Sequence, residues 1–275
     1  MKLSEELTAR GFIHQTSAPL EGILDGEKRT VYLGIDPTAD SIHVGNLVPY
    51  MLLNRLLQAG HKVILLMGGG TALIGDPGGK STERPFVEQA VVAEQCKKME
   101  AGVRQFVTGD VTFVNNYDWL SKLSMIEYLR DIGKHFTVNA MIKKDIVANR
   151  LDSENPISYT EFSYSLLQGY DYVHLHKTYG CDVQIGGSDQ WSNIIAGVDL
   201  IRRSTGDEVY AITNPIITDK ATGKKFGKSE GNAIWLNAEK TTPYQFYQFW
   251  LNTSDESVIE YLKIFTFLRL EEISE

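Results

Sequence analysis

Residues Thr30 to Lys80 constrain this chain more than any other segment, because they read as strand, helix and strand with a breaker at each junction. Thr30–Ile35 (TVYLGI) is β-branched and aromatic and runs into Asp36-Pro37, the pattern of a strand that ends in a loop. Over 46–58, Leu47, Tyr50, Met51, Leu53, Leu56 and Leu57 recur at helical spacing, and Ala59-Gly60 stops the helix. Pro49 is tolerated only in a first turn, so that helix starts near 43–46. A second strand, Lys62–Met67, feeds a glycine-rich stretch at 68–80. Such a unit implies an α/β fold with a parallel sheet and right-handed crossovers. Open sheets of this kind bind ligands outside the carboxyl ends of their strands, near the reversal of strand order. The loops that begin at Gly34, Gly68, Gly186 and Ile217 are expected to gather there.

The rest of the chain fits around that unit. Helices are expected at 86–107, 124–134, 138–151 and 160–174, with a short strand at 111–114 between the first two. A strand at 182–185, a helix at 189–204 and a strand at 208–213 return to the sheet, followed by a lysine-rich loop at 218–231. This divides the chain into an α/β domain over 1–217 with a helical insertion around 115–180, a loop and linker over 218–242, and the start of a helical region over 243–275. The opening MKLSEELTARGF places Leu3 and Leu7 four apart among charges, a short amphipathic helix with no secretory h-region.

Composition narrows the setting. With 43% hydrophobic and 23% charged residues the chain lies in the globular range, which excludes a disordered or collagenous protein. No apolar run approaches the roughly 18 residues that would cross a bilayer. Cys96 and Cys181 are the only cysteines, a usage that points to a reducing, cytoplasmic compartment and to neither a zinc site nor a disulfide framework. The net charge of −8 means that any nucleic acid must meet a local basic patch. Lys97-Lys98, Lys143-Lys144 with Arg150, and Arg202-Arg203 read as solvated faces, which leaves Lys224-Lys225-Lys228.

Five constellations carry chemistry. In Asp36-Pro-Thr38-Ala-Asp-Ser-Ile-His43-Val-Gly45-Asn46 a strand ends and a helix begins at glycine, a place where backbone donors and the dipole suit phosphate. Its bland reading is a capped helix with an incidental histidine. Lys224-Lys225-Phe226-Gly227-Lys228-Ser229 clusters ammonium groups that repel one another unless a polyanion lies between them; the bland reading is a soluble loop. Tyr164, Gln168 and Asp171 share one stripe of the helix at 160–174, Gln168 roughly 40° and Asp171 roughly 20° from Tyr164, with Phe162, Leu166 and Val173 opposite. That stripe is either a wet face or the wall of a polar pocket for an amino acid. Gln184-Ile-Gly-Gly187-Ser-Asp189-Gln190-Trp191 is a strand–Gly-Gly–helix junction in which Asp189 is either a cap or an acceptor for ribose. Finally, Gly68-Gly-Gly-Thr71 through Asp76 to Lys80 lacks P-loop spacing, but its glycines let backbone approach a ligand.

The order of these motifs carries a resemblance. A HIGH-like His43-Val-Gly-Asn46 at the first helix start, followed about 180 residues later by a KMSKS-like Lys225-Phe-Gly-Lys228-Ser229, resembles the class I aminoacyl-tRNA synthetases. The strings YLGIDPTADSIHVGN, LIGDPGGKS, NNYDWL, YTEFSYSLLQGYDY, CDVQIGGSDQWSNI and KFGKS together resemble the bacterial tyrosyl branch over essentially the whole chain. The resemblance implies a Rossmann-like catalytic domain, ATP-dependent activation of L-tyrosine to tyrosyl-adenylate, and transfer to tRNA(Tyr). It implies that Tyr32 and Asp171 bond the substrate phenol, and that Asp76, Tyr164 and Gln168 hold its ammonium with Thr71 alongside and Gln190 near the carboxylate. Gly34, Asp36, Gly187 and Asp189 would border the adenylate, with Gly45 at the helix start. Thr38, His43, Asn46, Lys225, Lys228 and Ser229, joined by Lys80 and Arg84, would stabilise the triphosphate. Magnesium is expected with ATP as a substrate complex, with no dedicated protein metal site and no tightly bound cofactor.

Asn46 stands for the second histidine of the first signature, and Phe226 and Gly227 for the methionine and first serine of the second. The resemblance also implies a homodimer, and an anticodon-binding domain and RNA-binding tail after the catalytic domain; the apolar and aromatic middle region, including Tyr128, Phe136 and Met141, reads either as the interface or as ordinary core. On this reading the chain stops inside the connecting helices, so that adenylate formation is expected of it and tRNA charging needs the missing domains. Two alternatives stand beside this reading: a tryptophanyl-tRNA synthetase, and a non-catalytic RNA-binding protein derived from a synthetase.

Overall fold

The computed structural model describes residues 1–37, 41–78, 85–151, 156–218, 220, 223, 226–229 and 232–275, and of 145–146, 228–229 and 232 the backbone alone. Six strands form the main sheet: β1 (Gln15–Thr16), β2 (Thr30–Ile35), β3 (Lys62–Met67), β4 (Val111–Asn115), β5 (Val183–Gly187) and β6 (Tyr210–Asn214). Their order is β1-β6-β5-β2-β3-β4. All neighbours run parallel except β1, which pairs antiparallel with the outer edge of β6. The chain steps outward from β2 to β3 to β4, then returns to the other side of β2 for β5 and β6. The reversal of strand order therefore falls between β2 and β5.

Alternation along the central strands gives the sheet two apolar faces. Val31, Leu33, Val183, Ile185 and Ile212 join one core, and Tyr32, Ile64 and Leu66 the other. Helix α1 (Leu3–Arg10) ends at Gly11, whose φ of 83° closes the last turn. Helix α2 (Leu47–Gln58) covers the first face, and Pro49 lies in its first turn as its ring requires. Helix α3 (Gln89–Val103) packs on the same side through Val92, Cys96, Met99 and Val103. On the second face lie α4 (Tyr159–Tyr179), capped at its start by Ser158, and α5 (Trp191–Ser204). Near the end, α6 (Pro243–Leu251) docks against the first core through Phe246, Phe249 and Trp250, and α7 (Asp255–Phe265) through Tyr261 and Ile264. Two buried arginines clamp the end of α7 there: Arg55 donates to the Thr266 carbonyl and Arg10 to those of Lys263 and Leu268. Both cysteines are buried free thiols. Among the described residues no helix is long and apolar enough to cross a membrane.

The middle of the chain departs from the sequence expectation. The continuous helix expected at 124–134 is a short turn at Met125–Glu127, a π-helical turn at Tyr128–Ile132 and a 3₁₀ turn at Gly133–His135. Gly133 is a poor helix former, and the wider π turn precedes it directly. The helix expected at 138–151 breaks into Val138–Met141 and Asp145–Leu151. Lys143-Lys144 falls in that break; Lys143 is exposed, as a solvated face requires, but the Lys144 ammonium is buried. Burial lowers its pKa to about 8, against the opposing pull of Asp76. Arg150 is also interior, where it pairs with Glu161 at 3.1 Å. Nor do Tyr128, Phe136 and Met141 face outward, since they pack inward on the second core. The exposed apolar residues of this region include Met125, Ile126, Leu129 and Val138.

Candidate active site

At the carboxyl ends of β2 and β5, where the strand order reverses, a cavity of about 480 Å³ opens. Its deep end is built by the second face of the sheet and by α4. Tyr32, on β2, is wholly buried, edge-on to Tyr172 at 5.1 Å, and its hydroxyl meets no partner among the described residues. Asp171, on α4, is also buried, and each of its oxygens is held by one donor. Asn116 Nδ2 donates to Oδ2 at 2.9 Å, and Trp119 Nε1 donates to Oδ1 at 2.7 Å. Burial dominates and pushes the carboxyl up to about 7; the two donors pull it back, and the Asp36 charge adds to the rise. Burial likewise holds the Tyr32 phenol well above its ordinary value, with the Asp171 charge next.

Two more carboxylates flank the middle of the cavity. Asp36 accepts from Tyr164 Oη and from Thr71 Oγ1, both at 2.7 Å. Asp76 accepts from the Gly78 amide at 2.9 Å and from Gln190 Nε2 at 2.8 Å. Asn116 joins the two ends of this network: beyond Asp171 it donates to Thr71 Oγ1 and accepts from the Gly70 amide at 2.7 Å. A wall of hydroxyls and carboxylates suits an ammonium group, which brings donors only.

The other end lies on the first face. Residues Val44–Asn46 form a 3₁₀ turn leading into α2, with the Gly45 amide donating to His43 Nδ1 at 3.1 Å and the His43 amide to Asn46 Oδ1 at 3.3 Å. Phe226 and Gly227 lie directly against that turn. A Cβ on Gly45 would come within 2.8 Å of the His43 ring and 2.9 Å of the Phe226 carbonyl. Gly227 has a φ of +82°, and a side chain there would run into Val44 and the Gly45 amide. Backbone bonds stitch the two segments together: Val44 N–H donates to Ile234 O, Ile234 N–H to Gly227 O, and Leu236 N–H to Ile42 O. The Phe226 ring is buried among Phe249, Trp250, Tyr261 and Phe265, so α6 and α7 hold the loop in place. Strands β7 (Lys228–Ser229) and β8 (Asn232–Ala233) continue the loop as a hairpin.

Every site residue that the sequence singled out and that the structure describes with its side chain lines this one cavity. They are Tyr32, Gly34, Asp36, His43, Gly45, Asn46, Thr71, Asp76, Tyr164, Gln168, Asp171, Gly187, Asp189 and Gln190. The stripe on α4 is thus a pocket wall and not a wet face, with Tyr164 and Asp171 buried. Thr38, Lys80, Arg84 and Lys225 lie outside the described residues, as do the side chains of Lys228 and Ser229. Sequence reasoning gave no role to Asn116 and Trp119, although both belong to the string NNYDWL, and it overlooked Gln184 and Asn214, which line the cavity. Among the described residues no group of three or more His, Cys, Asp or Glu side chains is placed to hold a metal ion.

Comparison with known proteins adds to this geometry. Residues 24–275 match the family model described as tRNA synthetases class I (W and Y). The chain is 50% identical to the tyrosine--tRNA ligase of Chromobacterium violaceum and 53% identical to that of Pediococcus pentosaceus, over 99% of this chain and 66% of each relative. It therefore spans just under two thirds of the length of these curated relatives. Among solved structures, a C-terminally truncated mitochondrial tyrosyl-tRNA synthetase from Aspergillus nidulans superposes with a TM-score of 0.86 at 31% identity, over 99% of this chain and 82% of that one.

Proposed function

The chain belongs to the class I tRNA synthetases of the W and Y type, and on that premise we propose that its cavity activates L-tyrosine with ATP to form tyrosyl-adenylate. One observation carries the choice of amino acid: the Tyr32 hydroxyl, without a partner among the described residues, beside the ionisable Asp171. A substrate phenol donates its proton to the Asp171 carboxylate and accepts one from Tyr32, so both buried groups are satisfied. An indole N–H only donates, and would leave the Tyr32 hydroxyl unmet; phenylalanine would leave both unmet. Tyrosyl-tRNA synthetase is itself the standard example of this physics, in which a site built to bond a hydroxyl rejects the analogue that lacks it. The relatives at 50% and 53% identity, both tyrosine--tRNA ligases, support the reading.

In this mechanism Asp76, Tyr164 and Gln168 hold the α-ammonium, with Thr71 and Asp36 behind them, and Gln190 steers the carboxylate. Gly34, Gly187 and Asp189 border the nucleotide and its ribose. A carboxylate oxygen of tyrosine attacks the α-phosphorus in line; the bond from that phosphorus to the bridging oxygen breaks, and pyrophosphate leaves with its electron pair. Such a displacement needs positioning and charge stabilisation and no covalent nucleophile. His43, Gly45 and Asn46 present donors to the phosphates, and Thr38, Lys80, Arg84, Lys225, Lys228 and Ser229 complete the set as the motifs assign them. Magnesium, bound to ATP as part of the substrate, would supply charge neutralisation of the leaving pyrophosphate.

Transfer of tyrosine to tRNA(Tyr) belongs to the same proposal for the longer protein that the relatives represent. A homodimer is part of it too: Met125, Ile126, Leu129 and Val138 are apolar yet 76%, 66%, 51% and 62% exposed, and a second copy would cover them. A cytoplasmic setting accords with two free, buried thiols. The test is exchange of labelled pyrophosphate into ATP with tyrosine, phenylalanine or tryptophan present. Exchange with tyrosine alone is expected. Equal exchange with tryptophan, or none in a folded sample, overturns the reading.

A further inference from the structure

The cavity holds a buried polar atom that the activation chemistry leaves unused, and it lies on the nucleotide side. Asn214 ends β6 opposite Gly187, its register partner on β5. Ile212, two residues earlier, joins the core on the first face of the sheet, so by alternation Asn214 projects from that face. That is the face of Val44, Val48 and Phe226, and not the face of Tyr32. The residue is 4% exposed and lines the cavity. Its Nδ2 donates to the Pro215 carbonyl at 3.2 Å, which tells the two ends of the amide apart: the opposite assignment would set oxygen against oxygen. The other end, Oδ1, is buried and meets no donor among the described residues.

We propose that Asn214 reads the base of the nucleotide, its Oδ1 accepting a hydrogen bond from an exocyclic amino group. This rests on the activation reading above and specifies which nucleotide the site selects. Val48 and Ile217 line the cavity and give it apolar surface suited to the face of a planar base. A single acceptor at its edge matches the 6-amino group of adenine. A 6-oxo purine turns an acceptor toward it, and a purine with hydrogen at that position leaves it unmet. The amide reaches the cavity by turning about its terminal side-chain bond, a soft torsion. Selection then works by the penalty on an unpaired buried acceptor, the same principle that rejects phenylalanine at the other end.

The experiment measures tyrosine-dependent pyrophosphate exchange with ATP, purine riboside triphosphate and inosine triphosphate, in the 275-residue chain and in Asn214→Leu. The parent should favour ATP over purine riboside triphosphate by roughly tenfold in kcat/KM, and inosine triphosphate should be no better. In Asn214→Leu the preference should fall to about unity through the nucleotide KM, with the tyrosine Kd unmoved. If the leucine variant does not fold, Asn214→Ala answers the same question. A parent ratio near one, or a variant that keeps the parent's ratio, overturns the proposal. If the parent shows no exchange, the activation reading fails by itself, and calorimetric binding of ATP and purine riboside triphosphate decides the role of Asn214: equal affinities refute it.

Discussion

Tyrosine affinity should fall as the pH drops through 7, and Asp171 is the reason. Its carboxyl is raised to about 7 by burial, and only the ionised form accepts the substrate phenol while Asn116 and Trp119 occupy its other lone pairs. With a midpoint near 7, the apparent Kd should be almost unchanged from pH 9 to 8 and about tenfold weaker at pH 6 than at pH 8. Trp119→Phe removes one charge-assisted hydrogen bond worth about 1.5–3 kcal/mol, which moves the midpoint up by roughly one to two units. The variant should therefore bind tyrosine roughly ten- to a hundredfold more weakly than the parent in acid and converge with it in alkali. The assay is calorimetric titration of tyrosine between pH 5.5 and 9.5, with phenylalanine as the ligand that has no proton to give. Unfolding does not mimic the effect. A carboxyl raised in the folded state adds stability that is fully present below its ordinary pKa and lost as pH rises through about 7, so acid down to pH 4 strengthens the fold through this group. Urea titrations at pH 6 and 8 check that sign. A tyrosine Kd that is flat from pH 8.5 to 5.5, or a Trp119→Phe curve with the parent's midpoint, would refute the reasoning.

Three further outcomes follow from the same geometry. Gly45→Ala drives a methyl group into the His43 ring and the Phe226 carbonyl, so pyrophosphate exchange should slow by roughly 10²-fold with the tyrosine Kd intact; a weakened tyrosine Kd would contradict it. Phe226→Ala empties the centre of a five-ring cluster and should cost about 3–5 kcal/mol in urea denaturation, whereas a loss under 1 kcal/mol would mean that α6 and α7 hold the loop by other means. Arg150→Met strands Glu161 in the interior at a cost of about 3–5 kcal/mol, and adding Glu161→Leu should recover most of that stability; no recovery would show that the pair is not the source.

Much of this architecture was legible because its signals are local. Strand Thr30–Ile35 and the α2 periodicity with Pro49 in the first turn need only a few neighbouring residues to be read. The stripe of Tyr164, Gln168 and Asp171 is local too, since one helix fixes their relative angle. What sequence left ambiguous was which way that stripe faced, because burial depends on a sheet that arrives from elsewhere in the chain. Asn116 and Trp119 meet Asp171 across 55 and 52 residues, a pairing that no period encodes. Phe226 reads as a mere substitution within a motif until Phe249, Trp250, Tyr261 and Phe265 fold around it. Around Gly133, helical periodicity survives in the letters while the backbone changes its winding.

The two faces of the sheet carry a consequence for how such a protein can change over generations. Tyr32 and Gln184 project to one side of paired strands, while Gly187 and Asn214 end them on the other. A side-chain replacement on either side reshapes its own compartment and leaves the backbone between them in place. Preference for a new amino acid could therefore drift by single steps without disturbing how the energy-rich cosubstrate is gripped. Changes to the shared strand backbone, as at Gly34 or Gly186, or to Asp36 at the end of β2, which bonds Tyr164 and Thr71, would be felt in both compartments at once.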